Sequence, residues 1–187
     1  MNHLYIISGK ANTGKTHTCW LLYTMLSCIG EVKLFENLAF PDAAIPYSFV
    51  LGHLRRKMFH PRTRSFRDFR AIIELKGKRI ALFSAGDQLV NNHYDILSFI
   101  KNEQWALDNN ADYIICAARE KCYENRSCYA RNTNGPVYEY LLKRYPETVR
   151  TIYHKEAFDR ADQQIYQTKK VAGEILWDIM DRIYYNN

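Results

Sequence analysis

The sequence predicts an α/β protein: a three-layer sandwich whose mostly parallel sheet of about five strands, with one antiparallel hairpin strand, carries helices on both faces. Three observations predict it. Short apolar runs recur at Leu4-Tyr5-Ile6-Ile7, Ile80-Ala81-Leu82-Phe83 and Tyr113-Ile114-Ile115-Cys116-Ala117-Ala118, and continuous runs of this kind suit strands buried on both faces. Segments with helical periodicity alternate with them. The first run passes through a glycine-bearing turn, Gly9 to Gly14, straight into a helix-forming stretch.

Each element has its own local reason. Thr18 to Cys28 is apolar all round, as a buried helix would be, and Gly30 closes it. Glu31-Val32-Lys33-Leu34-Phe35-Glu36 then alternates polar and apolar and predicts a second strand. Leu38 to Pro46 breaks regularity with two prolines, and a helical pattern returns over Tyr47 to Phe59. Phe69 to Leu75, the turn at Lys76-Gly77-Lys78 and Arg79 to Ala85 predict an antiparallel hairpin whose second strand is central. Gln88 to Leu107 reads as an amphipathic helix through Leu89, Val90, Ile96, Leu97, Ile100 and Leu107, stopped by Asn109-Asn110.

Beyond the strand at 111–118 the chain turns polar and irregular over Lys121 to Pro146, with a turn at Asn132-Thr133-Asn134-Gly135-Pro136 and a short helix over Val137 to Arg144. Thr148 to Tyr153 is the last expected strand. Glu156 to Tyr185 is a long closing helix with Phe158, Ala161, Ile165, Ala172, Ile175, Leu176, Ile179 and Ile183 along one face. Trp177, Tyr184 and Tyr185 extend that face, into the core rather than toward a partner. No period of 20 to 50 residues repeats, so residues 1–187 are expected to form one domain with a basic insertion at about 55–70 and a lid-like segment at about 119–147.

The turn after the first strand carries the chemistry. Gly9-Lys10-Ala11-Asn12-Thr13-Gly14-Lys15-Thr16 fits G-x-x-x-x-G-K-[ST] and stands between strand and helix, the context that spacing needs. The glycines let successive backbone NH groups face a polyphosphate lying at the positive end of the following helix. Lys15 can reach the β- and γ-phosphates, and the Thr16 hydroxyl can join the oxygen shell of Mg²⁺. Over residues 4 to 28 the chain resembles the P-loop NTPase superfamily.

That resemblance implies an acid for the metal. Asp87 follows the buried strand Ile80–Phe83 at its carboxyl end, as in the Walker B arrangement, and would hold Mg²⁺; alternatively it caps the helix that follows. Gln88 beside it could orient a water but would be a poor general base. Arg119 is delivered by the carboxyl end of another buried strand to the ligand-binding edge. It either stabilises charge on the γ-phosphate or pairs with Glu120 or a neighbour. Arg126 and Arg131 lie in the lid-like segment, where a phosphate-closing role would need them.

Composition bounds the rest. The 187 residues, 47% of them hydrophobic, suffice for one domain with a sizeable core. No stretch approaches the roughly 18 apolar residues of a membrane span and no signal peptide is evident, so a cytoplasmic protein is expected. Five cysteines, an odd number without a C-x-x-C pair, fit reduced thiols, and the spacing of Cys116, Cys122 and Cys128 matches no usual zinc site. A net charge of +6 favours an anionic partner. Arg55, Arg56, Lys57, Arg62, Arg64, Arg67 and Arg70 make one strongly basic segment, interleaved with Phe59, Phe66 and Phe69. It is either a solvated loop or a holder of phosphate or nucleic acid. The 14 tyrosines include no RNA-stacking motif.

Three functions fit these residues. The first is a small Mg-dependent ATPase; ATP is the default because the N-K-x-D guanine motif is absent. Lys10 stands where the deviant-loop ATPases, such as the nitrogenase iron protein, carry a signature lysine that reaches across a dimer. The chain departs from them at Ala11 and Asn12, where they have glycines. The second is a nucleotide or small-molecule kinase, with Glu36 or Asp42 near the acceptor. The third is a nucleotide-gated interaction module acting as a homodimer, with a partner protein, or on nucleic acid.

Overall fold

The computed structural model describes residues 1–9, 13–38, 68–84, 89–90, 93–94, 96–120, 135–156 and 161–185. Among them the elements run β1 (His3–Gly9), α1 (Lys15–Ile29), β2 (Glu31–Asn37), β3 (Phe69–Leu75), β4 (Lys78–Phe83), β5 (Leu89–Val90), β6 (His93–Tyr94), α2 (Ile96–Asp108), β7 (Tyr113–Arg119), α3 (Pro136–Arg144), β8 (Arg150–Lys155) and α4 (Ala161–Tyr184). The main sheet has six strands in the order β2-β3-β4-β7-β1-β8. β4, β7, β1 and β8 pair parallel, while β3 runs antiparallel to both β2 and β4.

The apolar runs are continuous because each interior strand feeds two cores. Tyr5, Ile7, Ile80, Leu82, Tyr113, Ile115 and Ala117 face α1 and α4. Their neighbours Leu4, Ile6, Ala81, Phe83, Ile114, Cys116 and Ala118 face α2 and α3. Alternate residues of one strand point to opposite faces, so neither face can be polar. On the first face Trp20 and Tyr23 of α1 close on Phe35 and Phe69, with the Trp20 and Phe69 ring centroids 4.1 Å apart. This aromatic knot fixes α1 over the β2–β3 side of the sheet.

The hairpin forms as its sequence requires. Lys76 and Gly77 both have positive φ, 51° and 74°, and this two-residue loop matches the right-handed twist of its strands. On the second face Glu103 of α2, almost wholly buried, accepts hydrogen bonds from Tyr140 (2.7 Å) and Tyr145 (2.5 Å) and pairs with Arg144 at 3.2 Å. The carboxylate thereby locks α2 to α3 and to the turn that follows it.

The mixed sheet of six strands, with β2 on one edge, β8 on the other and β3 alone reversed, is roughly compatible with the expected one. Two other sequence expectations change. The helix expected from Gln88 begins only at Ile96; Leu89–Val90 and His93–Tyr94 instead pair as two short antiparallel strands, with Leu89 opposite Tyr94. Finally, Trp177 and Tyr185 are 75% and 80% exposed, and Ile165 and Tyr184 are also exposed. The buried stripe of α4 is Thr168, Val171, Ala172, Ile175, Ile179 and Ile183. At about 100° per residue Trp177 lies on the far side of the helix from Ile175. No described helix is long and apolar enough to cross a membrane.

Candidate functional site

The residues that gather at the carboxyl ends of the parallel strands come from β1, α1, β7, β8 and α4, with Asp68 just before β3 and Ser84 just after β4. β1 ends at Gly9, whose φ of 153° and crowded surroundings fit only glycine: a Cβ there would sit 2.5 Å from the Lys155 carbonyl oxygen and 2.8 Å from Thr13 Oγ1. Gly14, with φ 77°, is the N-cap of α1 in the left-handed region. No side chain caps α1, and its first turn contains no acid. The positive end of the helix dipole at Lys15 is therefore left to an incoming anion.

Lys15 folds back so that its Nζ donates to the Gly9 carbonyl at 3.0 Å. Thr16 Oγ1 lies 3.5 Å from Asp68 Oδ1, long for a hydrogen bond. The same carboxylate oxygen accepts from Ser84 Oγ at 2.9 Å, and Ser84 Oγ accepts from the Phe69 NH at 3.1 Å. Asp68 and Ser84 meet because β3 runs backwards: its start and the end of β4 share one edge of the sheet. A Thr hydroxyl, a Ser hydroxyl and a carboxylate form an all-oxygen set, the donor chemistry that a small hard cation such as Mg²⁺ takes. Among the described residues no cluster of three His, Cys, Asp or Glu side chains forms.

Beneath the loop lies Lys155, the last residue of β8, paired in register with Gly9 and 3% exposed. Its Nζ donates to Thr18 Oγ1 at 2.7 Å, Thr168 Oγ1 at 2.7 Å and the Gly14 carbonyl at 3.3 Å. The Gly14 carbonyl also accepts from the Thr18 NH and hydroxyl, at 2.9 and 3.1 Å. Burial pulls the Lys155 ammonium from its ordinary 10.5 down to about 8, and the nearby Lys15 charge adds to the fall. Burial also lowers His17, which feels the Lys155 charge, and raises the Cys19 thiol to about 12.

Arg119 ends β7 opposite Gly9, and the next residue, Glu120, donates its NH to the Gly9 carbonyl at 3.4 Å and accepts from the Gly135 NH at 3.1 Å. Glu120 and Gly135 thus meet beside Gly9. Ser8 Oγ lies 2.8 Å from His154 Nδ1, and Glu120 Oε2 approaches the same nitrogen at 3.5 Å. A nucleophilic relay needs the two partners on different ring nitrogens, so this trio is a local contact.

The structure brings together Gly9, Thr13, Gly14, Lys15, Thr16 and Arg119 from the sequence-based set. Lys10, Ala11, Asn12, Asp87, Gln88, Arg126 and Arg131 lie outside the described residues, as do Asp42, Arg55, Arg56, Lys57, Arg62, Arg64 and Arg67. Two others have a structural occupation. Arg70 donates twice to Glu36, at 2.8 and 2.5 Å, and its guanidinium sits 4.6 Å over the Trp105 ring. This ties β3 to β2 and α2.

Sequence reasoning missed Asp68, Ser84, Lys155 and Thr168. The expected antiparallel hairpin already implied that the residue before Phe69 shares an edge with the end of the next strand. For Lys155 the expected strand stopped at Tyr153, two residues short. Comparison with protein-family models, curated proteins and solved structures found no match, so the reading below rests on these side chains.

Proposed function

We propose that this chain is a P-loop ATPase that binds Mg-ATP at Gly9–Thr16 and hydrolyses it. One observation carries the reading: a left-handed glycine opens α1 at the end of an interior strand, leaving its first turn uncapped and free of acids, with Lys15 as its first residue. Backbone NH groups and the helix dipole then favour a polyphosphate, and Lys15 exchanges its Gly9 carbonyl for phosphate oxygens.

Thr16 and Asp68, with Ser84 positioning the carboxylate, would hold the Mg²⁺, alongside Asp87 expected from the sequence. The ion neutralises phosphate charge when bound. Arg119, at the end of the strand next to β1, is the candidate for stabilising charge on the γ-phosphate, and Gln88 for orienting water. The kinase reading loses one of its acceptor acids, because Glu36 is engaged by Arg70.

Lys15→Ala is expected to abolish Mg-ATP binding, and retention of wild-type affinity would sink the reading. Phosphate release without an added acceptor is expected, falling at least tenfold in Asp68→Asn. Release that appears only when a nucleoside monophosphate or other hydroxyl compound is supplied would establish the kinase instead.

A further inference from the structure

Buried lysines normally lie against carboxylates; among the described residues Lys155 meets none. Its three ammonium hydrogens go to a carbonyl and two threonine hydroxyls, supplied by the loop, by α1 and by α4. Dipoles of this kind solvate a cation without neutralising it, and an ion held so in a dry interior remains costly. The neighbouring charge is another cation, Lys15. What would complete such a site is an anion placed over the loop.

Resting on the ATPase reading, we propose that Lys155 is a positioning residue of the Gly9–Thr16 loop, and that bound phosphates supply the counter-charge to its buried ammonium, coupling phosphate occupancy to the seating of α4. The loop side of the coupling is the Gly14 carbonyl. Lys155 holds it together with Thr18, whose NH and hydroxyl donate to the same oxygen. The α4 side is Thr168, whose hydroxyl accepts from the same Nζ at 2.7 Å. Gln164, one helical turn earlier, also flanks Gly14.

The coupling has a titration signature. Near pH 8 the ligand-free ammonium is about half protonated, so an anion that stabilises the charged form draws in roughly half a proton per site. The other ionisable groups around it are Lys15, His17 and Cys19 on α1, with Asp68 acting on Cys19 from the start of β3. His17 is held below 6.5 and Cys19 near 12, so neither changes charge at pH 8. By linkage, Mg-ATP affinity should fall about tenfold from about pH 7 to about pH 9.5.

The experiment is isothermal titration calorimetry of Mg-ATP into the full chain at pH 8 in two buffers of different ionisation enthalpy. Wild type should take up roughly half a proton on binding. Lys155→Met should bind about tenfold more weakly, with no uptake and a flat pH profile. Lys155→Arg, whose charge does not titrate, should recover affinity without uptake. Binding by wild type with no proton uptake overturns this proposal and leaves the ATPase reading standing, as does unchanged uptake in either variant. Failure of wild type to bind Mg-ATP at all overturns both.

Discussion

Replacing Lys155 by Met should make the ligand-free protein more stable at neutral pH, and the gain should shrink as the pH rises. The folded state holds this ammonium at about 8, against an ordinary 10.5 in the unfolded chain. A lysine depressed in this way costs stability fully below pH 8, where it must be buried charged. The cost is relieved as pH climbs from 8 toward 10.5, because there the unfolded chain binds more protons than the folded one. At 1.36 kcal/mol per pH unit the full cost is about 3 kcal/mol, and with the residue only 3% exposed solvent screening offsets little of it. Losing three hydrogen bonds in the Met variant returns about 1–2 kcal/mol of that, so a net gain of about 1–2 kcal/mol is expected at pH 7. Between about pH 7 and 9.5 the difference between variant and wild type should move by about 2 kcal/mol, equivalent to about 4–8 °C in Tm for a chain of this size. Urea denaturation of both proteins across that range measures it. Comparing the two cancels the titrating groups remote from Lys155. A stability difference constant with pH would refute the reasoning, because lost packing or hydrogen bonds alone carry no pH dependence in that window.

The other predictions concern the surrounding frame. Gly9→Ala would set a Cβ against the Lys155 carbonyl at 2.5 Å; it should cost about 2 kcal/mol or more in chemical denaturation, and an unchanged midpoint would mean that β1 and β8 separate easily. Glu103→Gln should cost about 1–3 kcal/mol by weakening the two tyrosine bonds and the Arg144 pair. It should also bring Tyr140 down from about 12, since after burial its bond to Glu103 is what raises it; ultraviolet titration of the phenolates would show this, and a stationary Tyr140 would refute the assignment. Asp68→Asn should flatten the Mg²⁺ dependence of ATP binding while leaving the urea midpoint within about 1 kcal/mol of wild type. Equal Mg²⁺ dependence in both proteins would remove Asp68 from the metal site.

Much of this layout was legible in the residues, and the exceptions have physical reasons. Continuous apolar runs marked β1, β4 and β7 because both faces of those strands are covered. Lys76-Gly77 marked the hairpin because few pairs accept positive φ twice. Leu89 to Tyr94 misled because an apolar segment of two residues is too short for periodicity to separate strand from helix. Trp177 and Tyr185 misled because amphipathicity finds a stripe but cannot forbid a large aromatic on the opposite side. At the site, Gly9, Gly14, Lys15 and Thr16 were legible as a contiguous motif. Asp68 and Ser84 were implied by the hairpin but carry no motif of their own; Lys155 and Thr168 were not legible, because they reach the loop only through the order of the strands, and no local pattern records which strand lies next to which.

The reversed strand β3 has a mechanical consequence. Asp68 enters it at one pole of the sheet, and Lys76-Gly77 turns the chain at the other, about 24 Å away by strand rise. Ser84 then emerges beside Asp68 only because the outgoing and returning paths have matched lengths. The spacing between the carboxylate and its hydroxyl is thus metered by residue count, like two ends of a folded tape. A one-residue slip of β3 against β4 would change no residue of the Gly9–Thr16 segment and still carry Asp68 out of step with Ser84, with its side chain swung to the other face of the sheet.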